Sequence, residues 1–141
     1  MSPSQTTTGS CLCKAVKISF PLSEKVFDVC HCSMCRKWSG GPGFTVAGGT
    51  QVSISNEQNI TVYSSSAWAE RGFCKTCGTH LFYRLKGSGF YNFPLGILDN
   101  NEELKFHLQI FVDNKPEHYT FADKTKMMTE AQVIAMYKGN S

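Results

Sequence analysis

The stretch Cys30-His31-Cys32-Ser33-Met34-Cys35-Arg36-Lys37 places three thiols, a histidine and two cations next to one another in the chain. On an extended backbone the side chains of Cys30 and Cys32 point to the same face. A tight turn at Ser33 and Met34 can then bring the sulfur of Cys35 back to the first two. Thiolates select soft or borderline metals, and tetrahedral sulfur sites usually hold zinc or iron–sulfur. The segment therefore predicts a zinc site with these three cysteines as ligands.

The other cysteines form two short pairs, Cys11 with Cys13 and Cys74 with Cys77, the second followed by Gly78. Seven cysteines cannot all pair as disulfides within one chain, and the cytosol disfavours disulfides. Two pairs from distant parts of a chain that close on one ion are the usual construction of a structural zinc site. The seven cysteines therefore divide most naturally into a four-sulfur site and a three-sulfur site.

Two other interpretations of the three-cysteine segment stay open. The three cysteines could simply be buried in a core, as free cysteine often is. Alternatively, His31 could complete the ligand set. Because His31 stands between Cys30 and Cys32, we expect its side chain to point to the opposite face and to be a packed or surface residue.

A three-sulfur site also predicts a kind of chemistry. Three thiolates carry one negative charge more than a divalent ion needs, which lowers its Lewis acidity relative to a three-histidine site. Such a site is a modest generator of hydroxide and is better suited to binding an external thiolate and lowering the pKa of that thiol. The ligand set therefore favours a sulfur-bearing substrate.

Composition and charge exclude several classes of protein. The chain has 141 residues, which fits one domain, and its formal net charge is +3 without a Lys/Arg-rich run, so nucleic acid is not indicated as a partner. No apolar stretch approaches the roughly 20 residues of a membrane span. The uncharged, Ser/Thr-rich start lacks the features of a signal peptide. We therefore expect a disordered lead-in over residues 1–8 and a cytoplasmic location.

Hydrophobic patterns predict a mainly β domain over residues 9–141, with antiparallel strands and short helices. One helical piece is expected over 35–39, ended by the glycine-rich residues 40–43. A second is expected at the C-terminal end, where Thr129 and Gln132 have capping-box spacing and Val133, Ile134 and Tyr137 form an apolar face. Strands are expected over 15–20, 26–32, 44–46, 51–55, 59–64, 79–85, 90–98 and 104–112.

Three motifs contain all the cysteines of the chain: Gly9-Ser10-Cys11-Leu12-Cys13, Cys30-His31-Cys32-Ser33-Met34-Cys35-Arg36-Lys37-Trp38-Ser39-Gly40 and Arg71-Gly72-Phe73-Cys74-Lys75-Thr76-Cys77-Gly78-Thr79. These motifs resemble those of the glutathione-dependent formaldehyde-activating enzyme family, which is also called the centromere protein V domain family. Weaker similarities to the same family are Leu95-Gly96-Ile97-Leu98-Asp99 and Gln109-Ile110-Phe111-Val112.

The resemblance implies a β-tent fold with two zinc ions per chain. It implies a structural zinc on Cys11, Cys13, Cys74 and Cys77, and a catalytic zinc on Cys30, Cys32 and Cys35. It also implies a carbon–sulfur lyase that acts on a thiol–aldehyde adduct such as S-hydroxymethylglutathione, with glutathione or its aldehyde adduct as the small-molecule partner. A homo-oligomer is left open. One departure is Gln109, because family members often carry a histidine just before this strand.

Other site residues are less well defined by the sequence. The polar candidates for a general acid or base are His31, Arg36, Ser39 and Asp99. Arg36 and Lys37 could offset thiolate charge or contact an acidic tripeptide, or could form a solvated cationic face. Trp38 is expected either to wall the three-cysteine site or to pack in the core.

The alternative function is a non-catalytic zinc-binding module of the centromere protein V type that binds a protein or chromatin. Such a role usually comes with a basic or low-complexity extension, whereas residues 1–10 here carry no charged side chain. The sequence therefore favours the enzyme.

Overall fold

The computed structural model describes residues 5–139 of the chain. Contacts divide the chain into two compact units, one of residues 1–25 and 46–103 and the other of residues 26–45 and 104–141. The single domain expected over 9–141 stays a prediction.

In chain order, the described strands and helices are β1 (Gln5–Ser10), β2 (Lys17–Leu22), β3 (Val26–Cys30), α1 (Ser33–Ser39), β4 (Gly43–Gly49), β5 (Ser53–Ser55), β6 (Ile60–Tyr63), β7 (Ala69–Cys74), β8 (His80–Leu85), β9 (Tyr91–Pro94), β10 (Lys105–Ile110), β11 (Lys126–Met128) and α2 (Glu130–Gly139).

The first unit is built from antiparallel strands. Strands β1, β2 and β5 form a three-stranded sheet in that order, and β9, β8, β7 and β6 are neighbours in a second sheet. Strand β2 buries Ile18, Phe20 and Leu22. The Phe20 ring stacks on Phe93 with the ring centroids 4.7 Å apart. Alternating apolar side chains thus pack into a core, as the period of two predicts.

The second unit contains parallel as well as antiparallel pairs. Its strands follow the order β11-β10-β3-β4, in which β10 runs parallel to both β11 and β3, and β3 runs antiparallel to β4. The mainly β prediction is confirmed. The parallel pairs differ from the antiparallel expectation, because β3 and β10 are separated by a long connection of the kind that parallel strands require.

Helix α1 ends and helix α2 begins where the local signals predict, whereas α1 begins at Ser33, two residues before the expected start. Helix α1 ends at Gly40, whose φ of 78° is left-handed and whose N–H bonds to the carbonyl of Arg36. At the start of α2, the Thr129 N–H donates to Gln132 Oε1 at 2.8 Å and the Gln132 N–H donates to Thr129 Oγ1 at 3.2 Å. These reciprocal bonds confirm the capping box.

Two expectations from the sequence are wrong. Residues 5–8 are not a disordered lead-in, because Gln5–Ser10 pairs along its whole length with β2; residues 1–4 lie outside the described part. Threonine-rich segments favour strands because threonine is β-branched. On α2 Val133 is 2% exposed, but Ile134 and Tyr137 are 45% and 52% exposed, so the three do not share one buried face. Within residues 5–139, none of the helices has the length and hydropathy needed to cross a membrane.

Candidate metal centres

The first cluster joins two turns of the first unit. Cys11 and Cys13 lie in the turn between β1 and β2, whereas Cys74 ends β7 and Cys77 follows in the next turn. All four sulfurs lie within 4.8 Å of one another. The sulfurs of Cys11 and Cys13 are 3.6 Å apart, and those of Cys13 and Cys74 are 3.8 Å apart. A tetrahedron with zinc–sulfur bonds of about 2.3 Å has edges of about 3.8 Å. The measured separations therefore fit a single tetrahedral ion.

Neighbouring groups form hydrogen bonds with the sulfurs of Cys11, Cys74 and Cys77. The Val16 N–H donates to Cys11 Sγ at 3.3 Å, and Asn59 Nδ2 donates to Cys74 Sγ at 3.4 Å. The Thr79 hydroxyl lies 3.1 Å from Cys77 Sγ, and this hydrogen bond is the main cause that lowers the pKa of Cys77 to about 5. A lowered thiol pKa favours the deprotonated form that binds metal.

The second cluster lies where β3 meets α1 in the second unit. Cys30 ends β3 and is buried, while Cys32 and Cys35 are half-buried. The three sulfurs lie within 4.8 Å of one another, and within residues 5–139 no fourth histidine, cysteine or carboxylate atom joins the group. Cys32 is also the N-cap of α1, where its Sγ accepts from the Cys35 N–H at 3.3 Å. The end of the strand thus presents the sulfur of Cys30, and the start of the helix supplies those of Cys32 and Cys35.

Hydrogen bonds among the three thiols shift their pKa values in opposite directions. The bond to Cys30 is the largest cause that lowers the pKa of Cys32 to about 2, and its position at a helix N-terminus acts in the same direction. The corresponding bonds to Cys32 and Cys35 raise the pKa of Cys30 above its ordinary value. Three soft sulfur donors converge here, and this donor set suits zinc.

Gly43 lies beside the second cluster. It pairs with Cys30 across β3 and β4. A Cβ at Gly43 would lie 3.4 Å from the Cβ and 3.6 Å from the Sγ of Cys35, which are ordinary van der Waals distances. This residue of β4 therefore lies directly against Cys35.

His31 is a fully buried residue that points away from the sulfurs, as the extended backbone predicts. Its Nδ1 lies 2.7 Å from the Tyr119 hydroxyl, and its Nε2 lies 2.8 Å from Oε1 of Gln109. Burial lowers the pKa of His31 below its ordinary value, although the hydrogen bond with Gln109 raises it. Both ring nitrogens are occupied, so His31 does not join the second cluster.

The partners of His31 could not be identified from local sequence patterns. Gln109 stands on β10, and its Nε2 donates to Thr125 Oγ1 at 3.1 Å. Tyr119 lies in the connection between β10 and β11 and stacks on His31 with the ring centroids 5.5 Å apart. The sign that the sequence offered was Gln109 itself, which stands where members of the family often carry a histidine.

Arg36, which follows the second cluster in the chain, has a role that the sequence did not indicate. Arg36 Nε donates to the carbonyl of His31 at 3.0 Å. Arg36 and Lys37 lie in the last turn of α1, where positive charge complements the helix dipole. Lys37 is exposed. Arg36 therefore ties α1 to the residue that stands between Cys30 and Cys32.

The remaining candidates are placed as follows. Ser39 is exposed at the end of α1, and Trp38 is half-buried. Asp99 belongs to the first unit, where its Oδ2 accepts from the Thr8 hydroxyl at 2.7 Å. Asp99 thus has a structural hydrogen bond, and a wall of the three-cysteine site formed by Trp38 stays a prediction.

Comparisons with known proteins agree with this arrangement. The family model of the glutathione-dependent formaldehyde-activating enzyme matches residues 6–114, which include all seven cysteines. A Schizosaccharomyces pombe protein described as an uncharacterized lyase is 36% identical over 127 residues, which is 89% of this chain and 93% of that protein. A crystal structure of a Rhodobacter sphaeroides protein matches with a TM-score of 0.57 and 24% identity, over 66% of this chain and 88% of that chain, and this likeness concerns the fold alone. The chain therefore belongs to the glutathione-dependent formaldehyde-activating enzyme family.

Proposed function

We propose that this chain is a zinc-dependent carbon–sulfur lyase that acts on a thiol–aldehyde adduct such as S-hydroxymethylglutathione. In this proposal Cys11, Cys13, Cys74 and Cys77 hold a structural zinc, and the triad Cys30, Cys32 and Cys35 holds a catalytic zinc. The observation that carries the proposal is the convergence of three sulfurs without a fourth ligand within residues 5–139, in a chain of this family. Catalytic zinc sites keep three protein ligands and leave a position for substrate or water.

Zinc at the triad would offer its remaining position to the thiolate of the substrate and would lower the pKa of that thiol. The chain supplies the surroundings. Buried Cys30 anchors the ligand set to β3, and half-buried Cys32 and Cys35 face the side from which a substrate can approach. The exposed cation of Lys37 on α1 would attract an acidic tripeptide.

The reaction needs no reagent beyond the adduct. The C–S bond of the S–CH₂–OH group breaks, the hydroxyl oxygen becomes the carbonyl oxygen of the aldehyde, and the hydroxyl proton ends on sulfur. Both ring nitrogens of His31 are engaged in hydrogen bonds. We therefore expect the proton to move through solvent at the exposed side of Cys32 and Cys35.

The experiment uses NMR to measure how fast free ¹³C-formaldehyde and glutathione exchange with the adduct that they form. We expect the protein to accelerate this exchange, and Cys35→Ser to abolish the acceleration because a triad ligand is lost. Ser33→Ala is the matched control, because Ser33 is an exposed residue of the same helix. A protein with zinc at both clusters that leaves the exchange rate unchanged would refute the lyase and favour the non-catalytic zinc module.

The free thiols need a reducing compartment, and we propose the cytoplasm.

A further inference from the structure

Each polar atom of His31, in its backbone and in its ring, has a hydrogen-bond partner. Its N–H donates to the carbonyl of Ile110 at 3.1 Å, and its carbonyl accepts from Arg36 Nε at 3.0 Å. Its ring nitrogens contact the Tyr119 hydroxyl at 2.7 Å and Gln109 Oε1 at 2.8 Å. These partners come from β10, from α1 and from the connection after β10. A residue bonded in this way has little freedom to move its backbone.

The hydrogen bonds run in one direction, which fixes the tautomer of the imidazole. The Thr125 hydroxyl donates to the carbonyl of Lys126 at 2.9 Å, so its oxygen accepts from Gln109 Nε2. The other amide atom of Gln109, Oε1, therefore faces His31 and accepts from Nε2–H. The opposite nitrogen, Nδ1, then accepts from the Tyr119 hydroxyl. Both nitrogens of the neutral imidazole therefore have a matched hydrogen-bond partner.

Tyr119 is in turn held from several sides. Lys115 Nζ donates to the carbonyl of Tyr119 and to that of Pro116, and it lies 5.2 Å from the centroid of the Tyr119 ring. The Phe121 ring lies 6.0 Å from the His31 ring and 6.1 Å from the Tyr119 ring, measured between centroids. The phenol is therefore a fixed support for the imidazole.

We propose that His31 is the positioning residue of the three-cysteine site, and that Tyr119 and Gln109 act through it. His31 stands between Cys30 and Cys32, so the backbone that it fixes is the backbone that directs both of their sulfurs. The inference rests on the proposed metal-binding function of the triad. Residues that support metal ligands from behind typically change metal affinity by about 10- to 100-fold when they are replaced.

The test uses Tyr119→Phe and Gln109→Leu, which remove hydrogen bonds to the ring and keep much of the side-chain volume. The probe is Co²⁺ added to protein whose metal has been removed, with the thiolate-to-cobalt absorption bands read during a competition against a chelator. Subtraction of a Cys35→Ser titration isolates the bands of the triad. The control is Tyr91→Phe, which removes a hydroxyl that accepts from Arg84 Nη1 at 2.7 Å in the first unit.

We expect about tenfold weaker cobalt binding at the triad in Tyr119→Phe and Gln109→Leu. Binding at the four-cysteine cluster should be unchanged, and Tyr91→Phe should resemble the wild type at both clusters. Wild-type affinity and unaltered triad bands in both test variants would overturn the positioning role, even if their melting temperatures fell. A wild-type triad that takes up no cobalt would instead refute the proposed metal function, and the positioning inference with it.

Discussion

Replacing Cys77 with serine is expected to unfold the first unit, whereas replacing Cys32 with serine should leave the protein folded. Serine does not ionise near neutral pH, so each variant loses one thiolate ligand. Cys32→Ser is a suitable counterpart because serine is itself a strongly preferred N-cap, and α1 therefore keeps its cap. The two variants thus differ mainly in which cluster they disrupt.

The expected magnitude follows from the span of each cluster. Cys13 and Cys74 are 61 residues apart in the chain, whereas the triad joins residues that are five apart or fewer. Closing the longer loop costs about 2 kcal/mol more chain entropy, and zinc bound there offsets that cost in the folded state. Structural zinc contributes on the order of 10 kcal/mol to folding. The net stability of a domain is only about 5–15 kcal/mol.

The assay is thermal unfolding followed by circular dichroism, with zinc content measured by elemental analysis on the same samples. We expect Cys77→Ser to show no cooperative transition or to aggregate. Cys32→Ser should melt cooperatively with one zinc fewer than the wild type and should lose thiol-dependent activity. An equal collapse of both variants would contradict this division of roles, and so would a well-folded Cys77→Ser with its zinc content intact.

Three further predictions concern packing, capping and protonation. Gly72→Ala should lower the free energy of unfolding by about 1–3 kcal/mol in urea titration, because its Cβ would lie 2.4 Å from Cζ of Phe82; a loss below measurement error would contradict this contact. Thr129→Ala should cost about 1 kcal/mol by the same measurement through loss of the capping box, and an unchanged stability would show that α2 does not need it. Burial lowers the pKa of His80, so the unfolded state binds more protons as the pH falls through 6.5, and stability falls with it. His80→Asn should reduce the difference in urea midpoint between pH 7.5 and 5.5, and an equal difference in both proteins would refute this origin.

Local patterns predicted those parts of the fold that depend on local chemistry. The alternation that predicted a strand over 15–20 appears as β2, and the capping box of Thr129 and Gln132 forms as its spacing indicates. The pairing of β3 with β10 could not be predicted, because parallel strands are joined by long connections that leave no local signal. The strand β1 was missed because a threonine-rich segment without large apolar residues resembles a flexible lead-in until its partner β2 is known.

The same distinction applies to the candidate sites. The triad and each of the two cysteine pairs could be expected from spacing, since ligands close in sequence are close in space. The joining of the two pairs could be expected from the usual construction of a structural zinc site. The support of His31 by Tyr119 and Gln109 could not, because these residues are 88 and 78 positions away in the chain. Only the folded second unit places a phenol and an amide on the two ring nitrogens.

The position of the triad at the junction of β3 and α1 shows how one short segment could offer three ligands to the proposed metal ion. The end of β3 supplies the sulfur of Cys30, and Cys32 places its sulfur on the same side, because side chains at alternate positions of an extended backbone share a face. Cys32 then begins the helix as its N-cap, so the Cys35 N–H points at its sulfur and stabilises negative charge there. A fourth cysteine from a distant turn would close the set, as Cys74 and Cys77 do in the first unit. Because the second cluster consists of three sulfurs within residues 5–139, the ligand that completes a tetrahedral ion there has to come from outside this part of the chain. A thiol substrate is the ligand whose chemistry matches that requirement best, since thiolates are the preferred donors for the metals that such a sulfur set selects.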